Sequence, residues 1–296
     1  MGLGSYSSTT VRNSKMMEKY EVSDMAEYTS LDNNVLFKQK NINNAMNPNG
    51  VKVREARDSA EHPESVAIII GLDVTGSMGS VPNYLVKEGL PKIMEKIIQS
   101  GIKDPQVLFL GIGDHEYDSS PLQISQFESN DDMLDKWLGD VYLEGGGGCN
   151  PGESYHLAWY FAGQHTAIDC FEKRKQKGFL FTIGDEPVLK QIPKTDLQKI
   201  MGEEGQYQDY SADQLLAKAR ELYNVYHIHV RETSAGSRGD TIDKWKQLLS
   251  DHVLIADRHE DISNIISQTI IKDAIAANMI KKENLVVDKP KEEMML

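Results

Sequence analysis

The sequence predicts an α/β protein whose central sheet is mainly parallel and doubly wound, with helices on both faces. Short apolar runs rich in β-branched residues recur along the chain, as expected of strands that are buried on both faces. Stretches with helical spacing of apolar residues separate these runs. The length of 296 residues fits one large domain with extensions.

The predicted elements alternate between strand and helix along most of the chain. The first strand is SVAIIIGLD, starting at Ser65, and a helical stretch follows in which Pro91 is expected to cause a kink or begin a second segment. Next come a strand (QVLFLGIGD), a short strand after a hairpin-like excursion (PLQISQF), a short helix (DDMLDKWL) and a long buried helix (ESYHLAWYFAGQHTAIDCF). The remaining elements are GFLFTIGDE (strand), SADQLLAKARELY (helix), NVYHIHV (strand), TIDKWKQLLSD (helix), HVLIAD (strand) and an isoleucine-rich last helix.

Composition divides the chain into three parts, with boundaries at residues 1–64, 65–280 and 281–296. The first part is a polar, Asn-rich N-terminal arm with weak periodicity, which we expect either to be disordered alone or to order against a partner. Alternatively, the arm meanders over the surface of the main domain and covers it. We expect the arm to add little to the stability of the core. The last part is a charged C-terminal tail.

The charge balance and the cysteine content argue against several classes of protein, although a local basic face could still bind nucleic acid. A formal net charge of −13 is not typical of a nucleic-acid-binding protein, which needs clustered Lys and Arg. No apolar run approaches the roughly 18 residues of a membrane span, and the first residues lack the apolar core of a secretory signal. Cys149 and Cys170 are read as reduced thiols. We therefore expect a cytoplasmic protein with neither a nucleic-acid nor a membrane partner.

Three loops are expected to meet at one edge of the sheet. They are DVTGSMGS after the strand that ends at Asp73, EGGGGCNPGES before the buried helix, and GDEP after the strand that ends near Gly184. Open α/β sheets bind ligands beyond the carboxyl ends of their strands, at a switch point in the topology. The chemistry of the chain is therefore predicted in these loops.

The first loop carries oxygen-bearing side chains at alternate positions, on Asp73, Thr75 and Ser77. One carboxylate and two hydroxyls form a hard set of ligands, which suits Mg²⁺ or Mn²⁺ better than zinc. An alternative is structural, with Asp73 capping the next helix and the two hydroxyls satisfying amides of the turn.

The order Asp73-Val-Thr75-Gly-Ser77 after an apolar strand resembles the metal ion-dependent adhesion site of von Willebrand factor type A domains, whose signature is DxSxS or DxTxS. The resemblance covers roughly residues 65 to 280 and implies a doubly wound fold. It also implies an Mg²⁺-type ion held by the first loop, by a Thr or Asp of a second loop and by an Asp of a third. Asp185 matches that last aspartate.

The second loop departs from the family pattern. Where many members have threonine, this chain has four glycines, Cys149 and Asn150. Asn150 is our candidate ligand through its carbonyl oxygen, but it is equally suited to cap the following helix, with Glu153 at the third position. Cys149 is a soft ligand that Mg²⁺ does not select, and we expect it to be neither ligand nor nucleophile.

A second candidate site is suggested by Gly113-Asp114-His115-Glu116, which also follows a buried strand. One imidazole stands beside two carboxylates there, without a regular ligand spacing. A solvated loop, or a contact at the rim of the first site, is the alternative interpretation.

The resemblance implies a binding module and not an enzyme. In the family, an acidic residue of a partner protein fills an open position on the ion, so we expect metal-dependent protein–protein recognition within a homo-oligomer or a larger assembly. One alternative is a structural protein in which the metal stabilises the fold. Another is a phosphatase of the haloacid dehalogenase type with the nucleophile loop DxDx[TV], in which Thr75 would replace the general acid. Phosphate-binding loops and the GxSxG motif are absent from the sequence.

Overall fold

A computed structural model of the protein describes residues 5–145, 150 and 152–281. Its strands are β1 Arg54–Ala56, β2 Ser65–Asp73, β3 Asp104–Ile112, β4 Leu122–Ile124, β5 Thr166–Ile168, β6 Gly178–Gly184, β7 Gln191–Ile192, β8 Tyr210–Ser211, β9 Tyr223–Val230 and β10 Val253–Ala256. Its α-helices are α1 Thr9–Tyr20, α2 Met25–Ser30, α3 Asn33–Leu36, α4 Val81–Tyr84, α5 Leu90–Gln99, α6 Asp131–Gly139, α7 His156–Gln164, α8 Asp169–Glu172, α9 Lys194–Met201, α10 Ala212–Leu222, α11 Gly239–Leu249 and α12 Ile262–Ala276.

The central sheet has the order β10-β9-β6-β2-β3-β4 among the described residues. Every neighbouring pair is parallel except β3 and β4, which form the antiparallel edge. The chain leaves β2 toward β3 and later returns to the other side of β2 as β6. The predicted doubly wound α/β fold is therefore confirmed, and the switch of direction lies at β2.

Two hydrophobic layers enclose this sheet because successive residues of a strand point to opposite faces. On β2, Ile68, Ile70 and Leu72 belong to the layer that includes α5, α6 and α12, whereas Ala67 and Ile69 belong to the layer that includes α7, α10 and α11. All nine residues of β2 are buried. This is the continuous apolar run that identified the strand in the sequence.

The helical stretch after β2 changes its winding before Pro91. A π-helical turn, Leu85–Gly89, separates α4 from α5, and Pro91 lies in the first turn of α5. The expected change at this proline is observed as the π-helical turn directly before α5. The backbone stays helical through Gly89 and Leu90, so the wider winding accommodates the missing N–H of Pro91.

The long helix predicted from Glu153 to Phe171 is wrong in its extent. In the structure α7 ends at Gln164, and the chain continues as β5, which pairs with β1 of the N-terminal segment. The backbone N–H of Arg54 donates to the carbonyl oxygen of His165 at 2.8 Å, just beyond the helix end. Pairing with a distant part of the chain therefore overrides the local apolar pattern.

Residues 5–64 pack on the main domain of the same chain. The buried side chains of Met16, Tyr28, Leu36 and Phe37 join the layer formed by α5, α6 and α12. The alternative of a cover over the main domain describes these contacts, and the expectation that the arm adds little to the stability of the core stays a prediction. The start of an independently folding unit at Ser65 stays a prediction, and the predicted tail lies outside the described residues except for Lys281.

A buried ion pair fixes the N-terminal segment to this core. The Arg12 guanidinium is fully buried and lies 2.6 Å from the carboxylate of Asp135 on α6. Its Nη2 also donates to the carbonyl oxygen of Val86 at 2.8 Å, within the π-helical turn. The segment is therefore attached both by its buried apolar side chains and by this ion pair.

No helix among the described residues is long and apolar enough to cross a membrane.

Arg12→Ala is expected to lower the free energy of unfolding by about 3–5 kcal/mol, because it leaves the Asp135 carboxylate buried without its partner. Urea unfolding followed by circular dichroism measures this. Lys19→Ala, on the exposed side of the same helix, is the control and should change stability by no more than about 0.5 kcal/mol. Equal stability of the two variants would show that the segment is not held through Arg12.

Candidate metal centre

The predicted first and third loops lie side by side at the carboxyl edge of the sheet. Asp73 is the last residue of β2, and Asp185 directly follows the last residue of β6. These two strands are parallel neighbours, with Leu72 opposite Ile183. The order of the strands therefore places the two carboxylates next to each other, although Asp73 and Asp185 lie 112 positions apart in the sequence (185 − 73).

Short hydrogen bonds connect four of the five predicted ligands. Thr75 donates to Asp73 Oδ1 from its backbone N–H at 2.9 Å and from its hydroxyl at 2.6 Å. The hydroxyl oxygens of Thr75 and Ser77 are 3.3 Å apart, and Ser77 Oγ donates to Asp185 Oδ1 at 3.0 Å. The structure therefore brings Asp73, Thr75, Ser77 and Asp185 together.

The fifth predicted ligand, Asn150, contacts a different loop. Its Nδ2 donates to Glu116 Oε2 at 2.9 Å, and its Oδ1 is buried without a hydrogen-bond partner among the described residues. It makes no hydrogen bond to the other four predicted ligands within the part of the chain that the structure describes. Cys149, with the preceding glycines 146–148, lies outside the described residues.

A tyrosine that was not predicted as part of the site donates a hydrogen bond to the Asp73 carboxylate from the protein core. The hydroxyl of Tyr155, which is fully buried at the start of α7, donates to Asp73 Oδ2 at 2.6 Å. It reaches this position only because residue 184 is glycine, since a Cβ there would lie 1.8 Å from the Tyr155 hydroxyl oxygen. Both oxygens of Asp73 are thus engaged, one by Thr75 and one by Tyr155.

The third loop is held by backbone contacts on two sides. Glu153 pairs with it through its own backbone, donating to the carbonyl oxygen of Pro187 at 2.9 Å and accepting from the N–H of Leu189 at 3.0 Å. On the other side, Trp245 Nε1 donates to the carbonyl oxygen of Glu186 at 3.0 Å. The second and third loops therefore form one connected unit around Asp185.

The acidic groups at this edge repel each other in a dry environment. Burial, aided by the neighbouring Asp185 carboxylate, raises the pKa of Asp73 to about 7, although hydrogen bonds from Thr75 and Tyr155 oppose the rise. Burial, followed by the charges of Asp73 and Asp114, raises the pKa of Glu153 to about 10. Protons or a cation are needed to relieve this excess of negative charge.

The residues present fit a small hard cation. Asp185 Oδ2 is buried and has no hydrogen-bond partner among the described residues, so an acceptor is left over beside two hydroxyl oxygens. Ser and Thr hydroxyls that donate their proton to a carboxylate keep lone pairs for a cation. Two carboxylates and two hydroxyls are oxygen ligands of the kind that Mg²⁺ prefers.

A second group of possible ligands lies at the carboxyl ends of β9 and β10. The ligand atoms of Glu232, His259 and Glu260 lie within 4.8 Å of one another. Glu232 also accepts the backbone N–H of His259 at 2.8 Å, and Glu260 is paired with Arg258 at 2.8 Å. These contacts explain the group as a local turn in which the acids already have partners.

No protein-family model and no curated protein matches the sequence. Among solved structures, the chain is similar to the pilus adhesin SpaC from Lactobacillus rhamnosus GG, with 12% identity and a TM-score of 0.48 over 71% of this chain and 30% of that one. It is also similar to the vWF domain of the type V pili tip protein Mfa5 from Porphyromonas gingivalis (10% identity, TM-score 0.44, 81% and 100% covered). BatB from Bacteroides thetaiotaomicron is a third such structure (14% identity, TM-score 0.41, 71% and 98% covered). The chain spans less than a third of SpaC, and the fold class rests on the strand order described above.

Asp73→Asn is expected to remove a pH dependence of stability in the metal-free protein. Because the folded-state pKa of Asp73 is raised to about 7, the folded protein retains a proton that the unfolded chain releases from about pH 4 upward. Stability should therefore fall as the pH rises between roughly 4 and 7, by at most about 1.4 kcal/mol per pH unit from this group.

Chemical denaturation in EDTA at several pH values measures this slope. Glu203→Gln, on an exposed loop, is the matched control and should keep the wild-type slope. An unchanged slope in Asp73→Asn would show that Asp73 is ionised in the metal-free protein throughout this range.

Proposed function

We propose that the protein is a metal-dependent protein-recognition module, in which Mg²⁺ or Mn²⁺ is held by Asp73, Thr75, Ser77 and Asp185. The observation that carries this proposal is the connected set of oxygens across β2 and β6, ending in the unpartnered Asp185 Oδ2. Such an arrangement matches what the resemblance of the first loop implies for this chain. We do not include Asn150 among the ligands of this ion, because its side chain donates a hydrogen bond to Glu116.

The bound ion would supply an electrophilic point that an acidic side chain of a partner can bind. Asp73 and Asp185 contribute two formal negative charges at most, so the ion is just neutralised when both are ionised and close to it. Both oxygens of Asp73 already accept hydrogen bonds from the protein. Asp73 is therefore best suited to orient Thr75, while the free oxygen of Asp185 is suited to bind the ion or one of its waters.

The attraction of an acidic partner has to act at short range. The chain has a formal net charge of −13, which opposes the long-range approach of a negatively charged protein. Exposed charges are screened beyond about 8 Å at physiological salt. A metal-bridged contact satisfies this requirement because the ion and the carboxylate touch.

Two alternatives differ from this proposal in what they require. If the ion only stabilises the fold, chelation should lower Tm and leave partner binding unaffected at a temperature where the protein stays folded. A phosphatase would need a general acid where Thr75 stands, and Thr75 donates its hydroxyl proton to Asp73, the would-be nucleophile. We therefore propose a non-enzymatic role.

Mn²⁺ titration calorimetry is expected to show one ion bound at this centre in the presence of saturating Ca²⁺. Asp73→Ala and Asp185→Ala should each abolish the Mn²⁺ heat, because each removes one of the two carboxylates. Cys149→Ser is the control and should change the Mn²⁺ affinity by less than tenfold, about 1.4 kcal/mol. The same Mn²⁺ heat in wild type and Asp73→Ala would contradict the proposed centre.

Partner binding is expected to vanish in EDTA and to return with Mg²⁺ or Mn²⁺ but poorly with Ca²⁺, whose longer bonds and higher coordination number fit a small hydroxyl-lined site less well. A pull-down with immobilised full-length protein, repeated under each condition, identifies and tests the partner. Asp185→Ala should lose the partner while its circular dichroism spectrum stays that of the wild type. A partner whose affinity is the same with and without EDTA would rule out the bridging mechanism.

A further inference from the structure

The loop after β3 and the loop before α7 are joined by hydrogen bonds beside the proposed metal centre. The N–H of Ser154 donates to the carbonyl oxygen of Gly113 at 3.2 Å, and the N–H of His115 donates to Ser154 Oγ at 2.9 Å. Asn150 Nδ2 donates to Glu116 Oε2 at 2.9 Å. The Gly113–Glu116 loop therefore contacts the second of the three predicted loops, as the interpretation of a rim contact expects, while Glu116 stays exposed.

Three side-chain oxygens from these joined loops are buried without a hydrogen-bond partner among the described residues. They are Asp114 Oδ2, Asn150 Oδ1 and Glu153 Oε2. Asp114 is fully buried, and Glu153 is 5% exposed. Nearly all buried polar atoms in folded proteins are hydrogen-bonded, and an isolated buried carboxylate is especially costly. Three unpartnered acceptors on two joined loops therefore call for a donor or a positive group at this place.

The protein itself does not supply that positive group. Neither Asp114 nor Glu153 forms an ion pair with a Lys, Arg or His side chain in the described part of the chain. The contrast with Asp135 is clear, because that equally buried carboxylate lies 2.6 Å from Arg12. The charge of Asp114 is also among the causes that raise the pKa of Glu153, which shows that the two acids act on each other.

We propose that Asp114, Asn150 and Glu153 hold a second divalent cation, and that this ion is Ca²⁺. Two carboxylates neutralise a divalent charge, and all three donors are oxygens, one of them an amide carbonyl. Such mixed carboxylate and carbonyl ligands on irregular loops suit the larger, geometrically tolerant Ca²⁺ better than Mg²⁺. This set of ligands shares no residue with the centre of Asp73, Thr75, Ser77 and Asp185, and it does not depend on the proposed function.

The second ion would connect the three loops. Glu153 is linked through its backbone to Pro187 and Leu189 of the third loop. An ion on Glu153 would therefore fix the loop that borders Asp185. The competing explanation is a proton on Glu153, which would satisfy its oxygen without any metal.

Ca²⁺ titration calorimetry on the full-length protein, in saturating Mg²⁺, tests the proposal. Wild type should bind one Ca²⁺ per chain, and Asp185→Ala should still bind one, since Asp185 belongs to the other centre. Asp114→Asn and Glu153→Gln should weaken Ca²⁺ binding by more than tenfold, and Glu203→Gln, on an exposed loop, should leave it unchanged. The use of two isosteric variants keeps the test valid if one of them does not fold.

Each other outcome overturns the inference. No Ca²⁺ heat in wild type would mean that Glu153 carries a proton in place of an ion. Ca²⁺ binding that survives in Asp114→Asn but is lost in Asp185→Ala would mean that Ca²⁺ occupies the first centre. In both outcomes, Mn²⁺ binding that depends on Asp73 would still support the first metal centre. A failure of the Ca²⁺ site can therefore be told apart from a failure of the proposed function.

Discussion

The burial of the Asp73 carboxylate at the end of the central strand is the constraint around which the site is arranged. A carboxylate without exposure to water needs donors, and the protein provides them from both sides, through Thr75 on one oxygen and Tyr155 on the other. The Tyr155 hydroxyl can reach Asp73 only past a residue without a side chain, which accounts for Gly184. The burial of one acidic residue therefore explains three features: the hydrogen-bonded loop at Thr75, the buried Tyr155 hydroxyl and the glycine at position 184.

The position of β2 between β3 and β6 determines which other groups can join Asp73. The loops after these two neighbours carry Asp114 and Asp185, so buried acids collect at one edge of the sheet. At Asp135, by contrast, the fold neutralises a buried acid with its own cation, Arg12. Among the described residues the edge acids form no such ion pair, so their charge has to be relieved in another way.

The sequence predicted the parts of this arrangement that depend on local pattern. Strands buried on both faces are continuous apolar runs, and Asp73, Thr75 and Ser77 are close in sequence, so both were recognisable. Tyr155 was not, because its role depends on which way α7 faces and on a glycine 29 residues later (184 − 155). The contacts of the N-terminal segment were not predicted for the same reason, since they include pairs such as Arg12 and Asp135, which lie 123 positions apart. Pairings of this kind leave no periodic signal in the sequence.

The first loop is held both from the core and from the surface, and the two supports are unequal. From the core, Tyr155 and Asp73 share a buried hydrogen bond of 2.6 Å. From the surface, Asn33 of the N-terminal segment donates to the carbonyl oxygen of Gly79 at 3.3 Å in an exposed position. Hydrogen bonds in a water-free interior are electrostatically stronger than exposed ones, where water competes for both partners. The position of Asp73 is therefore set by the packing of α7 against the sheet, and the N-terminal segment adjusts only the outer end of the loop.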